Sequence, residues 1–182
     1  MVDSRAKGAR VETQVRDALR KHTGLQWERT PGSGALDEKH GLKGDLYVPN
    51  ATNLFCVEVK GYADDHLTSA VLSSKNPQLL EFWSQAVRQG KQVSRKPLLI
   101  FKYDRSKLFV AFGTDVCLPD GSYPFFYVHR EDHEFFTCLL EDWLLHEDIK
   151  FTAGRMVSLL EGGYDLEALA LSVEAHIQEL LN

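Results

Sequence analysis

The segment at residues 44–60, GDLYVPNATNLFCVEVK, constrains the fold more than any other, because its pattern predicts two strands joined by a turn. The polar residues at 50–53 supply the turn. Successive side chains of a strand point to opposite faces, so Glu58 and Lys60 share one face and the neighbouring valines occupy the other. An antiparallel hairpin of this length brings Asp45 close to Glu58 across the two strands.

This hairpin places two carboxylates and one ammonium group near a single point. Mg²⁺ prefers oxygen ligands in near-octahedral geometry and usually keeps several of its waters. Asp45 and Glu58 are therefore candidate metal ligands, and Lys60 would supply a positive charge beside them. The same residues also fit an ordinary fold, in which Asp45 is a turn residue and Glu58 and Lys60 form a solvated ion pair.

Two features upstream of the hairpin bear on this choice. Residues 4–19 carry apolar side chains at helical spacing, which predicts an amphipathic helix with Glu12 on the flank of its buried stripe. A carboxylate there is either a boundary residue or an acid directed into a site. Residues 30–35, TPGSGA, follow a short strand predicted at 27–29 and form a tight turn that exposes backbone amides and the Ser33 hydroxyl. Concave turns of this kind accept phosphate oxygens.

Four sequence blocks, in their order and spacing, resemble the archaeal Holliday junction resolvases and related phage enzymes of the PD-(D/E)xK nuclease superfamily. The blocks are K-G-x-R-x-E at 7–12, R-T-P-G-S-G-A at 29–35, G-D-L at 44–46 and E-V-K at 58–60. The first acid follows Gly44 rather than proline, a variation that the superfamily tolerates. The resemblance covers about the first 112 residues.

The resemblance implies an α/β, restriction-endonuclease-like core, in which a central mixed β-sheet is flanked by helices. It implies an active site made of Glu12, Ser33, Asp45, Glu58 and Lys60. Mg²⁺, for which Mn²⁺ would substitute, would be held by Asp45, Glu58, the Val59 carbonyl and Glu12, while Lys60 would orient or deprotonate the attacking water. Gln85, in a helix predicted at 77–92, is an accessory candidate because related nucleases often use a polar residue from this helix.

The charge of the chain is unevenly distributed. The formal net charge of −5 argues against a nucleic-acid partner. Residues 1–110, however, hold 18 lysines and arginines against 12 acids, a balance of +6, whereas residues 111–182 hold 3 against 14, a balance of −11. The basic half suits a DNA partner, branched or duplex. The candidate phosphate contacts are Arg5, Lys7, Arg10, Arg16, Arg29 and Lys43, although each one taken alone is better explained as an ordinary solvated charge.

The rest of the pattern extends the core. Beta-rich runs at 97–103 and 108–112 predict a hairpin, residues 123–129 predict a late strand, and residues 134–145 predict a helix with aromatic side chains along one side. We expect a nuclease core at 1–112. Residues 113–182 would form a C-terminal extension packed on that core, and this extension would contain an extra C-terminal helical region. A chain of 182 residues suits one compact domain.

Together the resemblance and the charge pattern predict a Mg²⁺-dependent, structure-specific DNA endonuclease that resolves four-way junctions in recombination or repair. A homodimer is expected, since a two-fold partner matches a two-fold substrate. One alternative is a phage or bacterial repair or restriction-type endonuclease of the same superfamily. Another is a non-catalytic DNA- or protein-binding module on a nuclease scaffold, with the acidic C-terminal region as the site for a protein partner. Neither a transmembrane run nor a secretory pattern is present, so we expect a cytoplasmic protein with no membrane partner.

Overall fold

The computed structural model describes residues 4–31, 43–49, 51, 53–147 and 151. The side chains of residues 4 and 5 lie outside this description. Within these residues the chain forms helices and strands in the following order: α1 (Ser4–Thr23), β1 (Glu28–Arg29), β2 (Leu46–Tyr47), β3 (Phe55–Tyr62), α2 (Ala70–Ser73), α3 (Gln78–Gln92), β4 (Lys96–Tyr103), β5 (Phe109–Phe112), β6 (Phe125–Arg130), β7 (His133–Leu139) and α4 (Leu140–His146).

The described strands form one seven-stranded mixed sheet in the order β1-β2-β3-β4-β5-β7-β6. β2 and β3 are antiparallel, with Leu46 opposite Val57, which confirms the hairpin predicted from the sequence. β3 and β4 are parallel because α3 crosses between them. β4 and β5 form the second predicted hairpin. The expected α/β core with a mixed sheet flanked by helices is confirmed.

The two long helices cover opposite faces of the sheet. α1 packs with the side of β3 that carries Val57 and Val59, whereas α3 packs with the side of β4 that carries Leu99 and Phe101. Alternation along the strands explains this division, since neighbouring residues point to opposite faces. The helix residues that are buried in these two layers are Val11, Val15 and Leu19 of α1 and Leu79, Leu80, Phe82, Trp83, Ala86 and Gly90 of α3.

The helix predicted at 134–145 is wrong over its first half. His133–Leu139 is strand β7, which pairs with β5 on one side and β6 on the other, and only Leu140–His146 is helical. Residues 135–138, FFTC, are buried on both faces of the sheet, so they lack the alternation that marks a half-exposed strand. Aromatic and β-branched residues favour a strand there. The error came from treating a short apolar run as one face of a helix.

The region beyond residue 112 contributes to the same sheet, through β6 and β7, before α4 begins. Phe151 then packs against Trp27, Phe55 and Trp143. About half of the predicted C-terminal extension, residues 148–150 and 152–182, lies outside the described residues, so the boundary at 112 stays a prediction. In the part of the chain that is described, no helix has both the length and the apolar character needed to cross a membrane.

Candidate active site

A close backbone approach at Gly44 fixes the position of Asp45 against β3. The Asp45 N–H donates to the Val57 carbonyl at 2.7 Å. Gly44 has a φ of +85°, and a Cβ at this residue would lie 2.5 Å from the Val57 oxygen. Glycine meets both demands, since it adopts positive φ freely and has no Cβ. Gly44 therefore lets the chain enter β2 with Asp45 in contact with the middle of β3.

The Asp45 side chain takes the place of a neighbouring strand at the edge of β3. Its Oδ2 accepts a hydrogen bond of 2.7 Å from the Val59 N–H. The N–H and C=O of one strand residue point to the same side of the strand. The Val59 carbonyl is consequently directed to the side of β3 on which Asp45 lies. A carboxylate and a main-chain carbonyl come together at this edge, and the oxygen atoms of both can act as metal ligands.

Glu58 and Lys60 extend from β3 toward α3, as the alternation predicts. Glu58 is only 3% exposed, and its Oε1 accepts hydrogen bonds from Lys60 Nζ and from Gln85 Nε2, both at 2.6 Å. Glu58 is therefore buried and the Lys60 side chain is 18% exposed, so the alternative of a solvated ion pair is wrong. A buried carboxylate requires such donors, because removing a charge from water is costly unless it is paired. α3 supplies one of them, so Gln85 contacts the site directly.

Glu12 reaches the same region because α1 lies close to β3. A Cβ on Gly61 would lie 2.6 Å from Val11 Cγ2, so glycine at this position permits the approach of the helix. Glu12 follows Val11, and its Oε2 accepts from Arg29 Nε at 2.7 Å and Nη2 at 2.6 Å. The sequence placed Arg29 among the phosphate contacts and missed this pair. In the structure Arg29 forms a two-pronged ion pair with the α1 acid.

Burial and like charge raise the pKa of Asp45 to about 7. Desolvation is the largest cause, followed by the negative charge of Glu58, and Glu12 adds a smaller rise. The hydrogen bond from the Val59 N–H and the charge of Lys60 act in the opposite direction. Perturbed carboxyl groups of this kind are concentrated at functional sites, although ion-pair networks also produce them.

The oxygen atoms at this edge are suitable ligands for a divalent metal ion. Mg²⁺ is commonly bound through one or two carboxylates and retains waters, and Asp45, Glu58 and the Val59 carbonyl supply that set. The mutual repulsion that raises the Asp45 pKa is what a bound cation would relieve. Among the described residues, no group of three or more His, Cys, Asp or Glu side chains is arranged to hold a metal. The fit therefore rests on two carboxylates and a carbonyl.

An aromatic group beside Lys60 was not predicted from the sequence. The Phe82 ring centroid lies 5.9 Å from Lys60 Nζ, and Tyr62 stacks on Phe82 with centroids 4.6 Å apart. His66 packs edge-on against both rings. A cation near an aromatic ring is stabilised by the ring quadrupole. The available signal was helical spacing, since Phe82 precedes Gln85 by three positions and shares its face of α3.

Besides Arg29, two of the candidate phosphate contacts are ion-paired within the chain. Lys7 Nζ lies 2.6 Å from Asp104 Oδ1, and Arg16 Nη2 lies 2.7 Å from Asp17 Oδ1. Both acids are more than half exposed, and exposed ion pairs contribute little to stability. Such pairs leave the cations available to a competing phosphate. Arg10 is exposed on the same helix.

The structure describes only some of the other predicted catalytic and DNA-binding residues. Ser33 and the side chain of Arg5 lie outside the described residues. Lys43 is half-buried, immediately before the Gly44 turn. The described part of the site thus contains four of the five predicted catalytic residues, and it brings Asp45, Glu58 and Lys60 together with Gln85.

Three comparisons with known proteins found similar proteins. A family model described as "phage putative PDDEXK endonuclease" matches residues 3–145. Protein D14 of Escherichia phage T5 is 42% identical over 154 residues, which cover 82% of this chain and 96% of D14. Among solved structures, Hjc of Archaeoglobus fulgidus, a Holliday junction resolvase from an archaeal hyperthermophile, is similar over 76% of this chain and 93% of its own, with 18% identity and a TM-score of 0.39.

Proposed function

Because this chain belongs to the phage PDDEXK endonuclease family, we propose that it is a metal-dependent endonuclease that hydrolyses phosphodiester bonds in DNA. The observation that carries the proposal is the meeting of two carboxylates and one ammonium group at the edge of β3. Asp45 is held by the Val59 N–H at 2.7 Å, and Glu58 is held by Lys60 at 2.6 Å. This set of groups suits metal-assisted cleavage of a phosphodiester, because the carboxylates can hold the metal ion and the ammonium can offset charge on the phosphate.

The proposed roles follow from the contacts of each side chain. Lys60 provides a positive charge that offsets the negative charge developing on the phosphate, and its ammonium orients the attacking water; to deprotonate that water it would have to be a neutral amine. Gln85 and Lys60 both bind Glu58 Oε1, so they fix the orientation of that carboxylate. Preorganised groups of this kind stabilise a transition state because they need not reorganise during the reaction. Glu12 positions a water molecule at the flank of the site.

The metal would be held by Asp45, Glu58 and the Val59 carbonyl, with Glu12 close by. When bound, Mg²⁺ would supply a Lewis acid that lowers the pKa of a coordinated water and stabilises charge on the phosphate. Buried carboxylates that repel each other favour such binding. Ser33, which follows the Arg29 strand, would hold the scissile phosphate or place its loop.

We propose a four-way DNA junction as the substrate and a homodimer as the active form. The support is the set of four ordered blocks that resemble the resolvases, together with the match between a two-fold dimer and a two-fold junction. Light scattering at micromolar protein concentration, with and without junction DNA, tests the dimer. A monomer under both conditions would remove the geometric basis of junction resolution while leaving the nuclease proposal intact.

A cleavage panel tests the nuclease proposal directly. Wild-type protein is incubated with Mg²⁺ or Mn²⁺ and with end-labelled four-way junction, linear duplex and single-stranded DNA of matched sequence. We expect metal-dependent cleavage that is fastest on the junction. Asp45→Asn and Lys60→Ala should abolish it while binding to the junction, measured without metal by gel shift, changes little.

The outcomes of the panel separate the alternatives. Equal cleavage of junction and linear duplex would favour a repair or restriction-type endonuclease and contradict junction specificity. If both variants cleave as the wild type does, the assignment of the site is wrong. If the wild-type protein neither cleaves any substrate nor binds Mn²⁺ by calorimetry, it is a non-catalytic module.

A further inference from the structure

A groove of about 730 Å³ adjoins the candidate active site. It lies between the first half of α1, the carboxyl ends of β3 and β4, and the turn that follows β4. Gly61 and Tyr62, which directly follow Lys60, form part of its lining. β3 and β4 are parallel, and ligands of open α/β sheets bind outside the carboxyl ends of such strands. We call it the basic groove, after the lining residues Lys7, Arg10, Lys102 and Arg105.

The charge of the basic groove is strongly one-sided. Its described lining contains four cationic side chains and a single acid, Asp104. That acid is paired with Lys7, but it is more than half exposed. Within the described residues, Lys102 has one polar side-chain contact, a long one of 3.4 Å with the neutral Gln14 amide oxygen. A cleft lined by one sign of charge concentrates ligands of the opposite sign, and this cleft occurs in a protein whose net charge is −5.

Arg105 stands at a turn position where glycine would be the unstrained choice. Its φ is +65°, a left-handed conformation that costs an L side chain roughly 1–2 kcal/mol. The turn is closed by the Ser106 hydroxyl, which accepts from the Tyr103 N–H at 3.0 Å. The Arg105 side chain is exposed, so core packing does not explain it. Backbone strain of this kind occurs in tight turns and is concentrated at sites that bind ligands.

From these observations we infer that the basic groove holds the sugar-phosphate backbone of one DNA strand, to one side of the scissile phosphate. Lys102 and Arg105 are its phosphate ligands, and Tyr62 and Gly61 join it to Lys60. The inference rests on the proposed function, because it takes DNA as the substrate. It also specifies the path of the DNA, since the DNA strand would leave the active site along the carboxyl ends of β3 and β4 and not across α3.

The groove residues bind phosphates that do not react. Interactions that are equal in the ground state and the transition state change KM and leave kcat unaffected. Each phosphate contact also contributes about 0.9 to the slope of log affinity against log salt concentration. These two properties distinguish a groove residue from a residue of the catalytic site.

Binding measurements in an Asp45→Asn background test the inference without cleavage of the DNA. Replacing Lys102 and Arg105 together by glutamine should lower the salt slope by about 2 and weaken affinity roughly 10–100-fold near 0.1 M salt. Arg88→Gln with Lys91→Gln is the matched control, because these exposed cations lie on α3 at the opposite face of the sheet. The control pair should leave both quantities unchanged. In a protein that keeps Asp45, replacing Lys102 and Arg105 together by glutamine should raise KM at constant kcat.

Two further variants separate a contact from damage to the fold. Asp104→Asn removes the acid of the groove and frees Lys7, so it should tighten DNA binding, an effect that misfolding does not produce. Arg105→Gly keeps the left-handed turn without strain, so it should retain thermal stability and lose affinity. Arg105→Lys should restore most of that affinity.

Neutral methylphosphonates define the side of the scissile phosphate on which the groove acts. Placed singly on the junction, they should weaken wild-type binding on one side only, and that weakening should disappear in the Lys102 and Arg105 double variant. Equal weakening in the wild type and the double variant, or an unchanged salt slope, would overturn the inference. Cleavage by the wild type would then still support the nuclease function. Absence of any cleavage with an intact groove response would instead overturn the nuclease function alone.

Discussion

The two edges of the sheet are built differently. At one edge, β1 and β2 are two residues long and lie beside β3, which has eight. At the other, β6 pairs with β7 over six consecutive residue pairs. The candidate active site, with Asp45, Glu58 and Lys60, lies at the edge where β1 and β2 are found. Phe126 and Tyr127 of β6, 61% and 49% exposed, mark the second.

This difference shows how an incomplete strand ladder creates a site. Because β2 begins at Leu46, the Val59 N–H is bonded by the Asp45 carboxylate and not by another strand. A regular strand would have taken the Val59 backbone groups into the ladder, since buried backbone donors and acceptors are almost always paired. Along β7, the partner strands on both sides take up those groups. Function is therefore expected at the edge where side chains complete the backbone pairing.

The largest contrast between the edges should appear in cleavage. Glu58→Gln removes a buried negative charge that contacts Lys60 and Gln85, and we expect the cleavage rate to fall by roughly 10²–10³-fold or more. Glu134→Gln makes the same chemical change at the other edge, where that carboxylate accepts from the exposed Tyr127 hydroxyl at 2.6 Å. It should cleave at the wild-type rate. Single-turnover rates on one substrate compare the two variants.

Circular dichroism and thermal melting of both variants control for loss of structure. A folded Glu58→Gln protein that cleaves at the wild-type rate would contradict the location of the site. Equal losses in both variants would mean that the two edges contribute alike, and the contrast drawn from strand length would not hold.

A smaller contrast concerns stability at two glycines with nearly the same backbone. Gly44 and Gly121 have φ of +85° and +87°, so an alanine side chain costs each roughly 1–2 kcal/mol of conformational strain. At Gly44 the added Cβ also meets the Val57 oxygen at 2.5 Å, whereas at Gly121 nothing lies within 4 Å. We expect Gly44→Ala to lower the free energy of unfolding by roughly 2–4 kcal/mol and Gly121→Ala by about 1 kcal/mol.

Urea denaturation of the two alanine variants measures the difference. Equal losses would show that strain at positive φ alone decides the effect and that the hairpin tolerates a shift of Val57. A larger loss at Gly121 would contradict the close approach that positions Asp45.

The centre of the site could be predicted because it depends on local rules. Alternation within one strand places Glu58 and Lys60 on one face, and a short turn places Asp45 across the hairpin. Neither step requires knowledge of distant packing. The resemblance of four short blocks then added Glu12, which lies on a separate element.

Other features depend on how elements pack, and the sequence does not specify them locally. The ion pair between Arg29 and Glu12 joins residues that are seventeen positions apart, on a strand and a helix. The sequence alone does not show which cationic side chain pairs with this acid. Residues 135–138 were assigned to a helix because a run that is buried on both faces shows no strand period. The contact of Phe82 with Lys60 required the crossover of α3 between β3 and β4.

The last contrast is the dependence of stability on pH without metal. The pKa of Asp45 is about 7 in the folded protein against an ordinary value of 3.8. Between these values the folded state keeps a proton that the unfolded state has released, so this group makes the protein less stable as pH rises from about 4 to about 7. The slope is at most about 1.4 kcal/mol per pH unit. Asp45→Asn should remove this dependence, so the variant should gain stability relative to the wild type as pH rises.

The comparison between edges sharpens this measurement. Urea unfolding at several pH values is carried out in the presence of a chelator for the wild type, Asp45→Asn and Glu134→Gln. Acids far from the changed carboxyl are the same in all three proteins, so the difference between Asp45→Asn and the wild type reports Asp45 together with its interaction with Glu58. The Glu134 variant should follow the wild-type profile, because its carboxyl lies exposed at the β6 and β7 edge. A difference between wild type and Asp45→Asn that stays constant from pH 4 to pH 7 would mean that burial beside Glu58 does not hold a proton on Asp45.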